Sequence, residues 1–463
     1  MKRVLIFFFF LLISFSIKSQ SKSRILHGGL RHERTCFDVI FYDLHVKIDP
    51  SQRIVSGFNE IFFKVLDTTH TIQLDLFANM DVDSIIYKNE ILKYNRKFGA
   101  VFINFPQKPQ VNSIQSLKFF YHGSPQTNIG PNGDSGFHWD KDDKGNPLIG
   151  VSCEDVGASL WYPNKDHLSD EPDSARLHWT VPDNLVCISN GRLEKTEFSE
   201  LNYKTWTWFV RNPINNYGIS FYLGNYKKLK IKLKDENIER EIECYYYSND
   251  LETAKKYFLP SVNFVRFCEK YFGEYPFWDD KFAIVQASYR GMEHQGCVNI
   301  GNEISGYNNW SYLYDVPWHA TLVHEIAHEW WGNSVSVSDI ADMWLHEGFA
   351  TYTEMLYIEY IYGKAYYEKS ILNLNKLITS SSPIIGERNV YCNIFINNNI
   401  YFKGALFLHA LRSKINNDEI FFKILKTFQS RFRKKIVTTN DFLIVVNELS
   451  GKNFDEFFKR KLY

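Results

Sequence analysis

The stretch "TLVHEIAHEWWGN", Thr321 to Asn333, sets two histidines four positions apart with a glutamate directly after the first. A helix advances about 100° per residue, so positions i and i+4 lie about 40° apart and His324 and His328 leave one face together. Two imidazoles at that spacing suit a divalent zinc ion. Glu325 points aside from the metal and is free to take a proton from a water. Leu322, Val323, Ile326, Ala327, Trp330 and Trp331 make the flanks apolar. A buried histidine pair costs free energy unless something pairs it. The expected helix has about four turns, with Asp315 as its cap, Pro317 in its first turn and Gly332 as its stop.

A third ligand follows. Glu347 in "MWLHEGFATYTE" comes 18 residues after His328, enough to finish one helix, turn and begin an antiparallel partner. Two histidines and a carboxylate leave one coordination position open, the pattern of a catalytic rather than a structural zinc. One Zn2+ per chain is expected. His346 stands beside Glu347 but faces elsewhere on a helix, which makes it the weaker candidate.

Upstream of this helical half the period is two. "YDLHVKID" alternates Leu44, Val46 and Ile48 against polar neighbours, and "TIQLDLF", "LKFFYHG", "TWTWFVRN" and "REIECYYYS" continue the pattern between turn clusters such as "PNGDSG". From "SNDLETAKKYF" onward Phe258, Val262, Val265 and Phe267 follow helical spacing, with Pro260 in a first turn or a kink. One strand-like interruption, "KFAIVQAS", remains. At 463 residues two domains are expected. The boundaries read as a leader at 1–19, an all-β domain at 20–245 and a catalytic domain at 246–463.

The leader is "MKRVLIFFFFLLISFSIKSQ". Lys2 and Arg3 precede an uncharged apolar run of 14 positions, Val4 to Ile17. A spanning helix needs about 20, so a cleavable export signal fits better than an anchor, with cleavage expected after Ser19. No transmembrane span is expected after its removal, and the protein is expected in the periplasm or outside the cell, with association with a membrane as the alternative. The 53 basic and 53 acidic residues balance, which argues against a nucleic-acid partner. Seven scattered cysteines suggest neither a disulfide framework nor thiolate zinc. Oligomeric state is not legible.

His324-Glu325-Ile326-Ala327-His328, with Trp344 to Tyr352 following, resembles the gluzincin zinc aminopeptidases, the family of aminopeptidase N and leukotriene hydrolase. That resemblance implies an α+β multidomain fold: an N-terminal all-β, saddle-like domain and then a mainly helical, thermolysin-like peptidase domain. "RGMEHQG", Arg290 to Gly296, resembles the family's GxMEN motif, which makes Gly291, Met292 and Glu293 substrate-binding candidates. Glu293 would hold the substrate's α-amine. Arg290 and His294 depart from the motif, which leaves fine specificity open. "IYFKGALFLHALR" resembles the YxKG helix start and implies Tyr401 as the oxyanion's hydrogen-bond donor. "CEDVGASLWYPNKDHLSDEPDSA" resembles the family's N-domain segment, in which a glutamine or glutamate nine positions before the proline joins the amine site; counting back from Pro163, the resemblance implies Glu154. Asp166, Asp170, Glu171 and Asp173 read as a capped surface loop. "WFVRNPINNYGISFYLGNY" resembles the segment closing the β domain. The stop at Tyr463 is where the catalytic domain is expected to end, without the helical C-terminal domain of many relatives.

The function implied is a secreted zinc aminopeptidase that cuts the first peptide bond of peptides with a free N-terminus, Glu325 serving as base towards a zinc-activated water. A zinc endopeptidase and an epoxide hydrolase on the same scaffold are the alternatives, followed by a non-catalytic binding protein.

Overall fold

The alternating segments of the first half all build strands. The computed structural model describes residues 22–130, 133–234, 239–247, 251–302, 319–391, 395 and 397–463. The expected leader, Asp315, Pro317 and Cys392 lie outside the described residues. Phe37–Asp49 lies near the middle of an eight-stranded sheet, antiparallel to Ile54–Val65 and parallel to Ser174–Pro182. Leu44, Val46 and Ile48 are buried on its inner face, as period-two patterning requires. A four-stranded and a three-stranded sheet complete this half, which ends with Phe221–Gly224. The six described cysteines are buried and unpaired.

The next sheet lies across the expected boundary. Lys227–Lys234 and Glu239–Tyr246 pair with each other, and the latter runs parallel to Phe282–Val285. Ile231, Leu233, Ile242 and Cys244 join the core of the second half. Alternation reveals a strand but not which sheet receives it. Tyr245, Ala283, Val285 and Cys297 of the same sheet join the core of the first half, so the sheet bridges the two cores.

The second half's helices include α1 (Pro260–Phe272), α2 (Ala320–Ala327), α3 (Trp344–Tyr362), α4 (Asn399–Ile415), α5 (Asp418–Arg431) and α6 (Thr439–Ser450). Pro260 opens α1, where its missing N–H costs nothing. Helix α2 has eight residues, about two turns rather than four. It starts after His319 and gives way at His328 to tighter turns, Glu329 N to Ile326 O and Trp330 N to Ala327 O. The two tryptophans that follow lock it in place. Trp330 Nε1 donates to Gly273 O at the end of α1 (2.9 Å), and Trp331 packs on Phe349 of α3 with ring centroids 4.9 Å apart.

Helices α3 and α4 meet through two glycines. A Cβ on Gly348 would lie 2.8 Å from Gly404 Cα, and one on Gly404 would lie 2.8 Å from Gly348 Cα. That approach brings Glu347, next to Gly348, towards Tyr401, one turn before Gly404. Gly404→Val is expected to force the helices apart at a cost of about 3 kcal/mol or more. A fall in Tm of about 6–12 °C, read by thermal unfolding, checks it. Among the described residues, no helix is long and apolar enough to cross a membrane.

Candidate metal centre and amine pocket

Three donors converge between α2 and α3. His324 Nε2 and His328 Nε2 are 3.1 Å apart, and Glu347 Oε2 lies 3.1 Å from the first and 3.3 Å from the second. Donors about 2.0–2.1 Å from a tetrahedral zinc stand about 3.3–3.4 Å from one another, so the triangle has the size such an ion needs.

The outer hydrogen bonds orient the rings. His328 Nδ1 is 2.9 Å from the Trp331 carbonyl, which can only accept, so that nitrogen carries the proton. His324 Nδ1 likewise faces Glu354 Oε1 at 2.8 Å. Both Nε2 atoms therefore turn lone pairs towards each other and towards a carboxylate oxygen, an arrangement that calls for a cation. Burial opposes positive charge on either ring, but Glu347 and Glu354 outweigh it at His324, as Glu347 does at His328. Burial also opposes charge on Glu347, and the two imidazoles hold its pKa below the usual carboxylate range. Glu354 was absent from the expected site. It stands seven residues after Glu347, two turns along one helix face, and that spacing was the signal available.

Glu325 is buried beside the triad. Burial pushes its carboxyl up to about 8, with the imidazoles opposing and Glu293 and Glu347 adding to the rise. Gly291 lies directly against it: a Cβ there would sit 2.3 Å from Glu325 Oε1. Tyr401 lies across the triad, its ring 6.1 Å from the His324 ring. Burial, followed by the carboxylates of Glu347, Glu154 and Glu293, keeps its phenol protonated and able to donate. His346 stays outside the triad. It is fully buried and kept neutral, burial pushing it down to about 3, and it lies beyond Gly332, which separates it from His328.

Glu293 and Glu154 face each other near this centre. Glu293 is buried, and its Oε1 and the Oε1 of Glu154 are both enclosed without a hydrogen-bond partner. Burial and then the charges of Glu293 and Glu347 raise the Glu154 pKa well above its ordinary value. Two carboxyls crowded in one enclosed site raise each other's cost of ionisation, the pattern seen at Glu154. Met292 serves differently: its side chain belongs to the core of the first half, and its backbone exchanges two hydrogen bonds with Asn299.

Two further residues tie the Glu293 loop to the end of the histidine motif. Asn333 Nδ2 donates to Glu293 O (2.7 Å), and Gly296 N donates to Glu329 Oε1 (2.8 Å). Neither partner was expected from the sequence, because both bonds end on backbone atoms. The supposed surface loop at 166–173 is largely interior. Asp166 accepts from the Ala158 and Ser159 amides, and Asp170 pairs with Lys165. Those partners pay the cost of burying the charges.

Fold and donor set together define a two-domain metallopeptidase architecture. Residues 260–460 match the peptidase family M1 domain. Over 300 residues the chain is 25% identical to mouse glutamyl aminopeptidase, covering 58% of this chain and 30% of that protein. Over 311 residues it is 25% identical to aminopeptidase N of Streptomyces lividans, covering 63% and 35%. The chain thus spans about a third of the length of these curated relatives. The M1 zinc metallopeptidase of Deinococcus radiodurans superposes with a TM-score of 0.76 at 22% identity, covering 92% of this chain and 93% of that one. A mutant of that enzyme bound to a Tyr-Ser-Ala substrate gives 0.74 at 22%, covering 92% and 94%. Over residues 260–460 the chain thus carries a peptidase family M1 domain, and it is similar to zinc aminopeptidases of that family.

Proposed function

We propose that this chain is an exported zinc aminopeptidase that hydrolyses the first peptide bond of peptides with a free N-terminus. The observation that carries the reading is the pair Glu293 and Glu154, two enclosed carboxyls with unpartnered oxygens beside the donor triad. An α-ammonium supplies the positive charge and the donors the pair lacks. His324, His328 and Glu347 would hold one zinc per chain. Bound there, zinc would polarise the scissile carbonyl and make water acidic enough to attack at neutral pH. Glu325 accepts the proton of the attacking water and passes it to the leaving amine. Tyr401 donates to the oxyanion as it forms. Glu293 and Glu154 fix the N-terminus so that the first peptide bond, and not an internal one, meets the metal. Gly291 leaves room for the base, and the backbone of Met292 sets the height of Glu293. Export rests on the basic pair and short apolar run that open the sequence.

The test compares fluorogenic peptides with free and acetylated N-termini. Acetylation is expected to lower kcat/KM about a thousandfold or more, because it leaves buried carboxylates unpaired. Glu293→Ala is expected to slow the free-amine substrate about a hundredfold or more and to erase the preference. Equal cleavage of the two peptides by the wild type would establish an endopeptidase instead.

A further inference from the structure

We propose that the cavity beside Glu154 receives the side chain of the substrate's first residue and selects a cationic one, lysine or arginine. The proposal rests on the aminopeptidase reading and adds its substrate class.

One wall of the cavity is a strap from the beginning of the described chain. Residues 22–28 form a short helix. Tyr391 N donates to Arg24 O (3.0 Å), and Arg24 Nε donates to Tyr391 O (2.7 Å). The His27 ring stacks on Tyr391 with centroids 4.5 Å apart and planes 11° apart. Gly28 is pressed so close that a Cβ would lie 2.0 Å from Tyr391 N. On the other side Arg34, fully buried, gathers the carbonyls of His27 (2.7 Å) and Leu26 (3.2 Å). The strap is thereby fastened to both halves of the molecule, and the wall it makes is fixed in shape.

Beneath it lies a cavity of about 60 Å³ whose lining runs from His27 and Tyr391 to Glu154 and Tyr217. Glu154 thus belongs both to this lining and to the proposed amine anchor. At about 10–15 Å³ for each water-sized site, the space takes the head of a long side chain. Its charge is one-sided. Asp166 and Asp339 line it together with Glu154. Asp166 accepts from the amides of Ala158 and Ser159, and Asp339 from those of Ala341 and Asn389. Amide donors satisfy these oxygens without cancelling their charge.

Among the described lining residues there is no lysine or arginine. Arg34, behind the wall, is neutralised by Asp75 at 2.8 Å. His27 stands 3.7 Å from Asp166, and burial keeps His167 neutral, pushing it down to about 3. A cavity lined by acids concentrates a field that favours an ammonium or guanidinium and disfavours a carboxylate.

The experiment measures kcat/KM for aminoacyl fluorogenic substrates: lysine against norleucine, arginine against citrulline, and glutamate. The wild type is expected to favour each basic residue over its neutral partner about tenfold or more, with glutamate slowest. His27→Lys sets a fixed ammonium against Asp166 and is expected to cut that ratio to about threefold or less, whereas His27→Gln keeps it. Asp339→Asn, which removes one charge without added bulk, lowers the ratio independently of the strap. Equal rates for basic and neutral partners in the wild type overturn the proposal. So does a ratio unmoved in both His27→Lys and Asp339→Asn. If zinc-loaded protein cuts no free-amine substrate of any kind, the aminopeptidase reading falls and this proposal with it.

Discussion

Glu325→Gln is expected to lower kcat by about 10²–10⁴-fold, the share that a positioned acid–base group contributes, while the protein keeps its metal. Glutamine has nearly the same size, and the pocket around Glu325 is already filled, with Gly291 against one carboxylate oxygen. The substitution removes the ability to accept a proton and little else. His324, His328 and Glu347 are untouched, so the zinc-to-protein ratio should equal that of the wild type. KM should change little, because binding is assigned to Glu293 and Glu154. Steady-state kinetics beside elemental analysis of the same preparation checks this. Wild-type turnover in the variant would place the base elsewhere.

His328→Ala acts on the metal itself. It removes one of three donors and the hydrogen bond to the Trp331 carbonyl, and it leaves Glu347 buried with one imidazole fewer. Retained zinc is expected to fall to about a tenth or less, and activity with it. Stranding a buried charge costs about 3–5 kcal/mol. The variant should therefore unfold about 6–20 °C lower, taking the usual conversion for a domain of this size. Added zinc should raise the Tm of the metal-stripped wild type, since an ion that binds only the folded state stabilises it. The Tm of His328→Ala should not respond. A normal zinc ratio in the variant would show that His328 is not a ligand.

The meeting of His324, His328 and Glu347 was legible because each step is local. Four residues on a helix fix one pair, and a turn between antiparallel helices fixes the third member. Strands of the first half were legible for the same reason, as period two needs no knowledge of the partner strand. What remained hidden depends on contacts between distant segments. The strands from Lys227 to Tyr246 read as more of the first half, and their sheet's place across both cores stayed hidden, because alternation is silent on sheet membership. Helix α2 read as too long, because apolar flanks continue through Trp330 and Trp331 while the backbone has already tightened. The acids at 166–173 read as surface, because their partners, the amides of Ala158 and Ser159 and the side chain of Lys165, carry no pattern of their own. Asn333 and Glu329 were invisible as braces, since they bond backbone atoms 40 and 33 positions away.

The Glu293 loop has a second set of attachments. Tyr222 lies 2.6 Å from His294 Nδ1 and donates to Cys297 O (2.9 Å), and Asn190 Nδ2 donates to Gln295 O (2.9 Å). These anchors come from the first half, whereas Asn333 and Glu329 come from the second. The loop is thus stitched on both edges, and Glu154 approaches it from the first half alone. Anyone trimming this molecule to its smallest working unit would find two different answers. The proposed metal site is the property of one half. The proposed recognition of a free N-terminus belongs to neither half alone and would exist only where they are sewn together.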